Sequence, residues 1–206
     1  MKKIIALLLA LVCVVGLVAC RDDEPSTGDD ALAEFRSAIA AADPVSAGID
    51  VVVSSTVFNE TLSGSYDVFY NADGSATVEY SYEQLAIIDE NTQVGDSTKE
   101  TLVGVASVAA DGTVTVIEGV GGVGAQITAV AGVKLNLDGS KMTYTASAGA
   151  LTATVKAQDT ASVLGVAISA DVSLVVTVAN GTVSAITISY STAEATSKIV
   201  CLYYYE

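Results

Sequence analysis

The chain has 206 residues, and its 9 basic residues against 24 acidic ones give a formal net charge of −15. Such an acidic surface repels nucleic acid and anionic lipid headgroups, so a DNA- or RNA-binding role is disfavoured. The chain contains no histidine and no tryptophan, which removes Ser/His/Asp triads, Cys/His pairs and imidazole metal sites from consideration.

Residues 1–19 have the pattern of an export signal. Lys2 and Lys3 give a positive start, and the run from Ile4 to Ala19 is apolar without a single charge. This run is shorter than the roughly 20 apolar residues that a spanning helix needs. The pattern therefore predicts a signal peptide that is removed.

The end of this segment, Leu17-Val18-Ala19-Cys20, resembles the lipobox of bacterial lipoproteins. The resemblance implies cleavage before Cys20, transfer of a diacylglyceryl group to its thiol, and a protein held in the cell envelope on the extracytoplasmic face of a bacterial membrane. Each buried methylene of an acyl chain contributes about 0.8 kcal/mol, so two chains hold a soluble domain on a bilayer. Two alternatives stay open: an ordinary secretory signal with a chance cysteine, and an uncleaved anchor that leaves the same domain outside.

Residues 20–30 are predicted to form the lipid anchor and a flexible acidic tether, because acids and turn formers dominate them and apolar periodicity is absent. Their acids lack the alternating ligands and central glycine of a calcium loop. No metal site is expected there. Without Lys2 and Lys3 the mature chain has 9 − 2 = 7 basic residues against 24 acidic ones, a formal charge of −17.

Residues 31–206 are expected to form one domain, which begins with an amphipathic helix from about Ala31 to Ala42 capped by Asp30. The dipeptide Asp43-Pro44 is expected to end this helix. Apolar side chains recur in it at helical spacing. These are Leu32, Phe35, Ile39 and Ala42.

The remainder is rich in Val, Thr, Ile, Tyr and Ser in short runs separated by turn signals, which predicts antiparallel hairpins. Four turns are expected, at Asp73-Gly74, Asp111-Gly112, Asp138-Gly139 and Asn180-Gly181. For the first, a three-residue loop of Ala72, Asp73 and a left-handed Gly74 is favoured over a two-residue loop, because only that register brings apolar residues together. It places Tyr66, Val68 and Tyr70 beside Ala76, Val78, Tyr80 and Tyr82.

Three later segments carry strand patterns. In the last hairpin, Val172, Leu174, Val176 and Val178 are expected to face Val183 and Ala185, and Val175 is expected to pair with Ile186 on the opposite side. Met142 to Val155 alternates until Gly149, which predicts a bulge or bend at that glycine. A final strand is expected from Lys198 to Tyr205. The sequence assigns no element to 85–100 or 157–165.

Gly119, Gly121 and Gly124 match the dinucleotide fingerprint after a plausible strand, with Asp138 at a suitable distance. That motif needs a helix in a parallel βαβ unit, whereas residues 125–132 are short, β-branched and end in glycine. A glycine-rich loop is therefore favoured, and no cofactor is predicted.

Cys201 stands alone in the mature chain, because Cys13 leaves with the signal and Cys20 is taken by lipid. An internal disulfide is excluded. We expect Cys201 to be a small buried hydrophobic residue, with a reactive or intermolecular thiol as the alternative.

A lipidated start, a charged tether, one helix and then a long antiparallel sheet resemble the family of lipoprotein carriers and lipid-binding lipoproteins (LolA/LppX-like). The resemblance is architectural. It implies a strongly β-dominated α+β fold, in which a curved, half-barrel-like antiparallel sheet packs on the N-terminal helix around an apolar cavity.

The predicted function is therefore a non-catalytic, membrane-anchored module that binds a lipid or another apolar molecule. The alternative is a structural or protein-interaction lipoprotein with a partner protein in the envelope, and an enzyme is disfavoured. Aromatic residues of the helix and strands are the candidate ligand-binding set, or else ordinary core residues. They are Phe35, Tyr66, Tyr70, Tyr80, Tyr82, Tyr144 and Tyr190.

Overall fold

A computed structural model of the chain describes residues 29–57, 59–86, 98–119, 135–147 and 149–206. The signal, Cys20 and most of the tether lie outside these ranges. Among the described residues no helix is both long enough and apolar enough to cross a membrane.

In the described residues, ten strands form one open, curved antiparallel sheet in the order β5-β4-β3-β2-β1-β10-β9-β8-β7-β6. Strands β1 to β5 form one meander and β6 to β10 a second, and the pairing of β1 with β10 joins them. The predicted β-dominated α+β fold with a curved antiparallel sheet is confirmed. The strands are β1 Ser46–Ser55, β2 Glu60–Tyr70, β3 Ala76–Ala86, β4 Thr98–Val108, β5 Val114–Gly119, β6 Met142–Ser147, β7 Ala150–Val155, β8 Val172–Ala179, β9 Thr182–Ser191 and β10 Ala195–Tyr204.

Helix α1, Asp29–Ala40, packs against β6, β8 and β9. We call the sheet face on this side the inner face and the opposite one the outer face. Leu32, Phe35 and Ala38 are buried against the inner face. The predicted start was wrong: Asp30 lies within the helix instead of capping it. An aspartate stabilises a helix both at the N-cap and in the first turn, because its negative charge interacts favourably with the positive end of the helix dipole. The sequence alone therefore does not distinguish these two positions.

The first hairpin has the predicted loop. Asn71 pairs with Ser75 across Ala72, Asp73 and Gly74, Gly74 has a φ of +81°, and Tyr66 lies opposite Tyr80. The side chain of Asp73 accepts hydrogen bonds from the Ser75 amide at 2.9 Å and from its hydroxyl at 2.6 Å. Because these bonds favour the carboxylate, they lower the pKa of Asp73.

The turns at Asp111-Gly112 and Asn180-Gly181 are also confirmed. Gly112 has a φ of +85° in a second three-residue loop, in which Asp111 accepts a hydrogen bond from the Thr113 amide. Asn180 and Gly181 have φ of +54° and +79° and form a two-residue connection between β8 and β9. Positive φ at both positions suits the right-handed twist of a hairpin.

Asp138-Gly139 is not a hairpin turn. Its carboxylate accepts a hydrogen bond from the Ser140 amide at 3.0 Å and caps a short 3₁₀ turn, Gly139–Lys141, that leads into β6. The same side-chain contact serves hairpin loops and caps, so the dipeptide does not distinguish them.

Gly149 does not bend a continuous strand. It lies in the tight connection between β6 and β7, with Ser147 opposite Ala150 and a φ of +73°. The phase break in the sequence marks a chain reversal here, because the alternation restarts after a turn just as it does after a bulge.

The last hairpin has the predicted turn but a shifted register. Val178 lies opposite Val183, whereas Thr177 lies opposite Ala185, so Ser184 is an extra residue in β9. The bulge moves Ile186 opposite Val176 on the inner face, where the sequence alone placed it on the other side. The Ser184 hydroxyl donates to the Thr177 carbonyl at 3.2 Å, which holds the bulge in place.

Residues 157–165, which the sequence left unassigned, form a 3₁₀ turn, Ala157–Asp159, and a short helix α2, Thr160–Leu164. Gly165 ends it with a φ of +74°. The final strand β10 starts three residues earlier than predicted, at Ala195.

Candidate functional site

The structure distributes the candidate aromatic residues over the inner face instead of gathering them in one pocket. Phe35 is only 1% exposed and fills the core beneath α1. Tyr66 pairs with Tyr80, whose ring lies 6.1 Å from that of Tyr82 between centroids, and all three are buried. Tyr144, on β6, is half-buried and packs against the core cluster.

Several of these tyrosines line different cavities. Tyr66 and Tyr82 line one of about 450 Å³ with Val51, Val53 and Leu62. Tyr190 lines another of about 300 Å³ between the α2 region and strands β9 and β10. Tyr70 belongs to a third, at the end of α1.

This third space, the helix-end cavity, has a volume of about 460 Å³ and lies between the end of α1 and the inner face. Its apolar floor consists of Ile39, Leu135, Val183 and Ile186. Three tyrosines, Tyr70, Tyr203 and Tyr205, contribute to its wall. Polar residues, among them Asp43, Asn71 and Ser75, complete the lining. The cavity is therefore amphipathic.

The local chain fold positions this cavity. Helix α1 ends at Ala40, and Pro44, which cannot donate a backbone hydrogen bond, directs the chain away from the helix and into β1. The Arg36 side chain donates to the Leu137 carbonyl at 2.8 Å, and the Asn136 amide donates to the Val163 carbonyl at 2.7 Å. These bonds hold residues 135–138 against α1 and α2, so Leu135 reaches the cavity floor.

The tyrosines at the cavity are neutral donors. Burial raises the pKa of Tyr70, Tyr203 and Tyr205 above the ordinary tyrosine value. Tyr205 donates its hydroxyl hydrogen to the Val183 carbonyl at 2.8 Å. Neutral phenols beside aliphatic side chains suit an uncharged ligand surface, because no ion has to be desolvated.

Cys201 lies next to this wall on β10. It is 1% exposed, and burial raises the pKa of its thiol to about 12, with a smaller contribution from the charge of Asp50. The expected burial of Cys201 is confirmed, and the raised pKa disfavours the thiolate form that reactive cysteines use.

Tyr203 and Tyr205 were absent from the predicted site. The alternation of Cys201, Tyr203 and Tyr205 indicates a shared face, but nothing local shows that this face meets Tyr70. That contact depends on β10 pairing with β1, which in turn pairs with β2.

The Lys141 ammonium group donates to the Ser162 hydroxyl at 2.6 Å, yet neither residue lines a described cavity where a substrate could meet them. Within the described part of the chain, no group of three or more His, Cys, Asp or Glu residues is placed to hold a metal ion.

Gly119, the first glycine of the fingerprint-like motif, ends β5, which pairs antiparallel with β4. A Cβ atom on Gly119 would lie 2.5 Å from the Val103 carbonyl oxygen and 2.8 Å from the Tyr80 hydroxyl. Close packing therefore explains this glycine. Residues 120–134, including Gly121 and Gly124, lie outside the described ranges.

No known family model matches the chain, and no curated protein matches it. Among solved structures, the crystal structure of LprF from Mycobacterium bovis is similar with a TM-score of 0.41 and 12% sequence identity, over 85% of this chain and 93% of that one. A likeness of this size carries no argument about ligand or activity. The functional assignment rests on the geometry of this chain.

Proposed function

We propose that the chain is a membrane-anchored extracytoplasmic lipoprotein that binds, without catalysis, the apolar part of a lipid or a similar molecule in the helix-end cavity. The observation that carries this proposal is the cavity itself: about 460 Å³ between helix and sheet, with an aliphatic floor and polar residues in its lining. Ligand cavities in proteins have about 300–1,000 Å³ and a mainly apolar lining with a few polar groups.

The lining suggests how a ligand would lie. Ile39, Leu135 and Ile186 offer an aliphatic surface for a hydrocarbon chain, and Asn71 and Ser75 offer hydrogen bonds to a headgroup. Asp43 also contributes to the lining and would repel an anionic headgroup. We therefore favour an acyl chain with an uncharged or cationic polar end.

This model predicts a dependence on chain length. Each methylene group removed from water contributes about 0.8 kcal/mol, which corresponds to roughly a fourfold gain in affinity. For a series of monoacylglycerols bound to the mature protein carrying Cys20→Ser, we expect affinity to rise by about this factor per methylene until the cavity is filled, and then to level off. Isothermal titration calorimetry measures the dissociation constant for each chain length. Affinity that is independent of chain length contradicts burial of the chain.

A pair of variants tests whether the ligand binds in the helix-end cavity. Ala42 lines the helix-end cavity, whereas its neighbour Ala41 is exposed and is not among the lining residues. Ala42→Trp fills cavity space, so we expect it to abolish binding of a fluorescent fatty-alcohol probe, whereas Ala41→Trp should bind the probe like the parent. Native mass spectrometry of the same proteins identifies any lipid that copurifies. Equal binding by both variants would place the ligand elsewhere, and absence of binding in the parent would overturn the proposal.

The alternative, a protein-interaction role in the envelope, is favoured by apolar side chains left exposed on the sheet. Phe69, Val103, Ile117 and Tyr204 are 44 to 66% exposed. The inner face holds the cavity and the outer face carries exposed aromatic residues, so one chain has room for both roles.

A further inference from the structure

A groove of about 530 Å³ crosses the outer face, on the side of the sheet opposite α1. Its floor is low because small residues of β2 and β3 lie side by side: Ser65 is opposite Ser81, and Gly64 is next to them. Larger side chains border this floor, Asp50 and Lys198 on one side and Glu83 and Thr101 on the other. An extended chain would fit along such a trough.

Acidic side chains outnumber basic ones around the groove, and Lys198 is the basic residue of its border. Strand register places four carboxylates on this face, and the chain as a whole carries a formal charge of −15. Asp67 lies directly opposite Glu79, and both are exposed. Like charges at directly opposed positions destabilise a sheet, so a cation between them would relieve the repulsion. The four acids are Asp50, Asp67, Glu79 and Glu83.

The carboxylate of Glu83 is fixed in place. It accepts hydrogen bonds from both the amide and the hydroxyl of Ser63, each at 2.8 Å. These bonds lower the pKa of Glu83, so the groove border keeps its negative charge under mildly acidic conditions.

Two exposed aromatic residues lie on the same face, next to these acids. Phe69 and Tyr204 both lie opposite Ser46, one on each side of it, and are 44% and 53% exposed. A Cβ atom on Gly48 would lie 3.8 Å from the Tyr204 ring and 3.8 Å from the Asp67 carboxylate, so ring and acid approach each other over this glycine. Aromatic faces beside carboxylates attract guanidinium groups through cation–π and charge-assisted contacts.

We propose that the outer face of β10, β1, β2 and β3 is a docking surface for a basic protein partner that presents an extended, arginine-rich segment to the groove and to the Asp67–Glu79 pair beside it. Charge complementarity selects this occupant, because the acidic groups repel nucleic acid and anionic lipid surfaces. The proposal does not depend on ligand binding at the helix-end cavity.

The test uses the mature protein carrying Cys20→Ser and a synthetic peptide of alternating arginine and serine, with a glutamate-serine peptide of equal length for comparison. We expect binding of the arginine peptide that weakens as salt rises, and no binding of the glutamate peptide. The double variant Asp67→Asn/Glu79→Gln should weaken it roughly five- to tenfold, since each exposed charge pair contributes a modest amount. Circular dichroism should show an unchanged fold, because the substitutions remove a repulsion.

The matched control Glu34→Gln/Asp159→Asn removes two acids from α1 and from the start of α2, away from this face, and should retain parent affinity. Phe69→Ser/Tyr204→Ser leaves the charge unchanged and should also weaken binding if the rings take part. Equal loss in the control and in the Asp67/Glu79 variant would show nonspecific attraction and overturn the site. Undiminished binding by the Asp67/Glu79 variant would overturn it as well.

Discussion

At the scale of single residues, Gly104 shows how closely strand β5 approaches its neighbours. A Cβ atom there would lie 2.2 Å from the Glu118 carbonyl oxygen and 2.3 Å from the Tyr80 hydroxyl, which donates to that carbonyl. Gly104→Ala should therefore lower the free energy of unfolding by about 1–3 kcal/mol, the usual range for overpacking. Urea denaturation measures the effect.

Gly48 provides the control for this substitution. Its added Cβ would meet atoms no nearer than 3.8 Å, an ordinary contact distance. Gly48→Ala should leave stability unchanged or slightly raised, because alanine restricts the unfolded chain. Equal destabilisation by both substitutions would mean that loss of glycine, and not the crowding by Tyr80 and Glu118, determines the cost.

Cys201 predicts a dependence of stability on alkaline pH. Its thiol has a pKa of about 12 in the folded chain against an ordinary value of 9.0. Stability from this group is complete below pH 9 and is lost as pH rises toward 12, because the unfolded thiol ionises first. The loss approaches about 1.4 kcal/mol per pH unit once the unfolded thiol is ionised.

Denaturation of the parent and of Cys201→Ala at pH 8 to 10 measures this dependence. The variant should lack the thiol's share of the decline. Tyr203→Phe should keep that share, since tyrosine in the unfolded chain ionises only around pH 10. A decline of the same slope in Cys201→Ala and in the parent would assign it to other groups.

At the scale of secondary-structure elements, α1 combines two tasks along its length. Phe35 lies in the packed core, whereas Ile39, one turn later, is half-buried and lines the helix-end cavity. Phe35→Ala should cost about 3–5 kcal/mol through lost packing, and Ile39→Ala clearly less, because its site is already open on one side.

Ligand binding separates the two positions further. Ile39→Ala should weaken binding of the fluorescent fatty-alcohol probe, whereas Phe35→Ala should change its affinity little under conditions where the variant stays folded. Thermal melting and probe titration on the same samples measure both effects. The reverse order of effects would place the ligand beneath Phe35, as the aromatic candidate set of the sequence suggested.

The elements that the sequence predicted correctly are those with local causes. The loop at Ala72 to Gly74 follows from one left-handed glycine and from the register that unites Tyr66, Val68 and Tyr80, all within a few residues. Interruptions in the alternation of apolar and polar residues were harder to interpret, because a β-bulge and a chain reversal interrupt the alternation in the same way. The sequence predicted a bend where Gly149 reverses the chain, and a regular strand where Ser184 makes a bulge.

At the scale of the whole molecule, the order of the strands depends on contacts that no local pattern reveals. Ile49 lies opposite Cys201, so the meander of β1 to β5 and the meander of β6 to β10 meet along strands about 150 residues apart in sequence. This pairing brings Tyr203 and Tyr205 to the same cavity as Tyr70. The general class of fold was therefore predictable, but the wall of the candidate site was not.

The proposed lipid anchor at Cys20 is the property of the whole chain on which the proposed function most depends. Transfer of a lipid to Cys20 would confine the domain to a membrane surface, where its ligands reside. We expect the parent, expressed in bacteria with labelled palmitate, to carry the label and to sediment with membranes, because two acyl chains bind a bilayer stably. Cys20→Ser should lose the label, because it lacks the thiol that accepts the lipid.

Cys13→Ser is the control, because Cys13 belongs to the predicted signal and leaves with it. This variant should be labelled and sedimented like the parent, and its mature mass should correspond to a chain beginning at Cys20 plus lipid. If the parent is unlabelled and stays in the membrane fraction at a mass that includes residues 1–19, the segment is an uncleaved anchor. The domain would then still face outward, but its attachment would be by a peptide segment instead of a lipid.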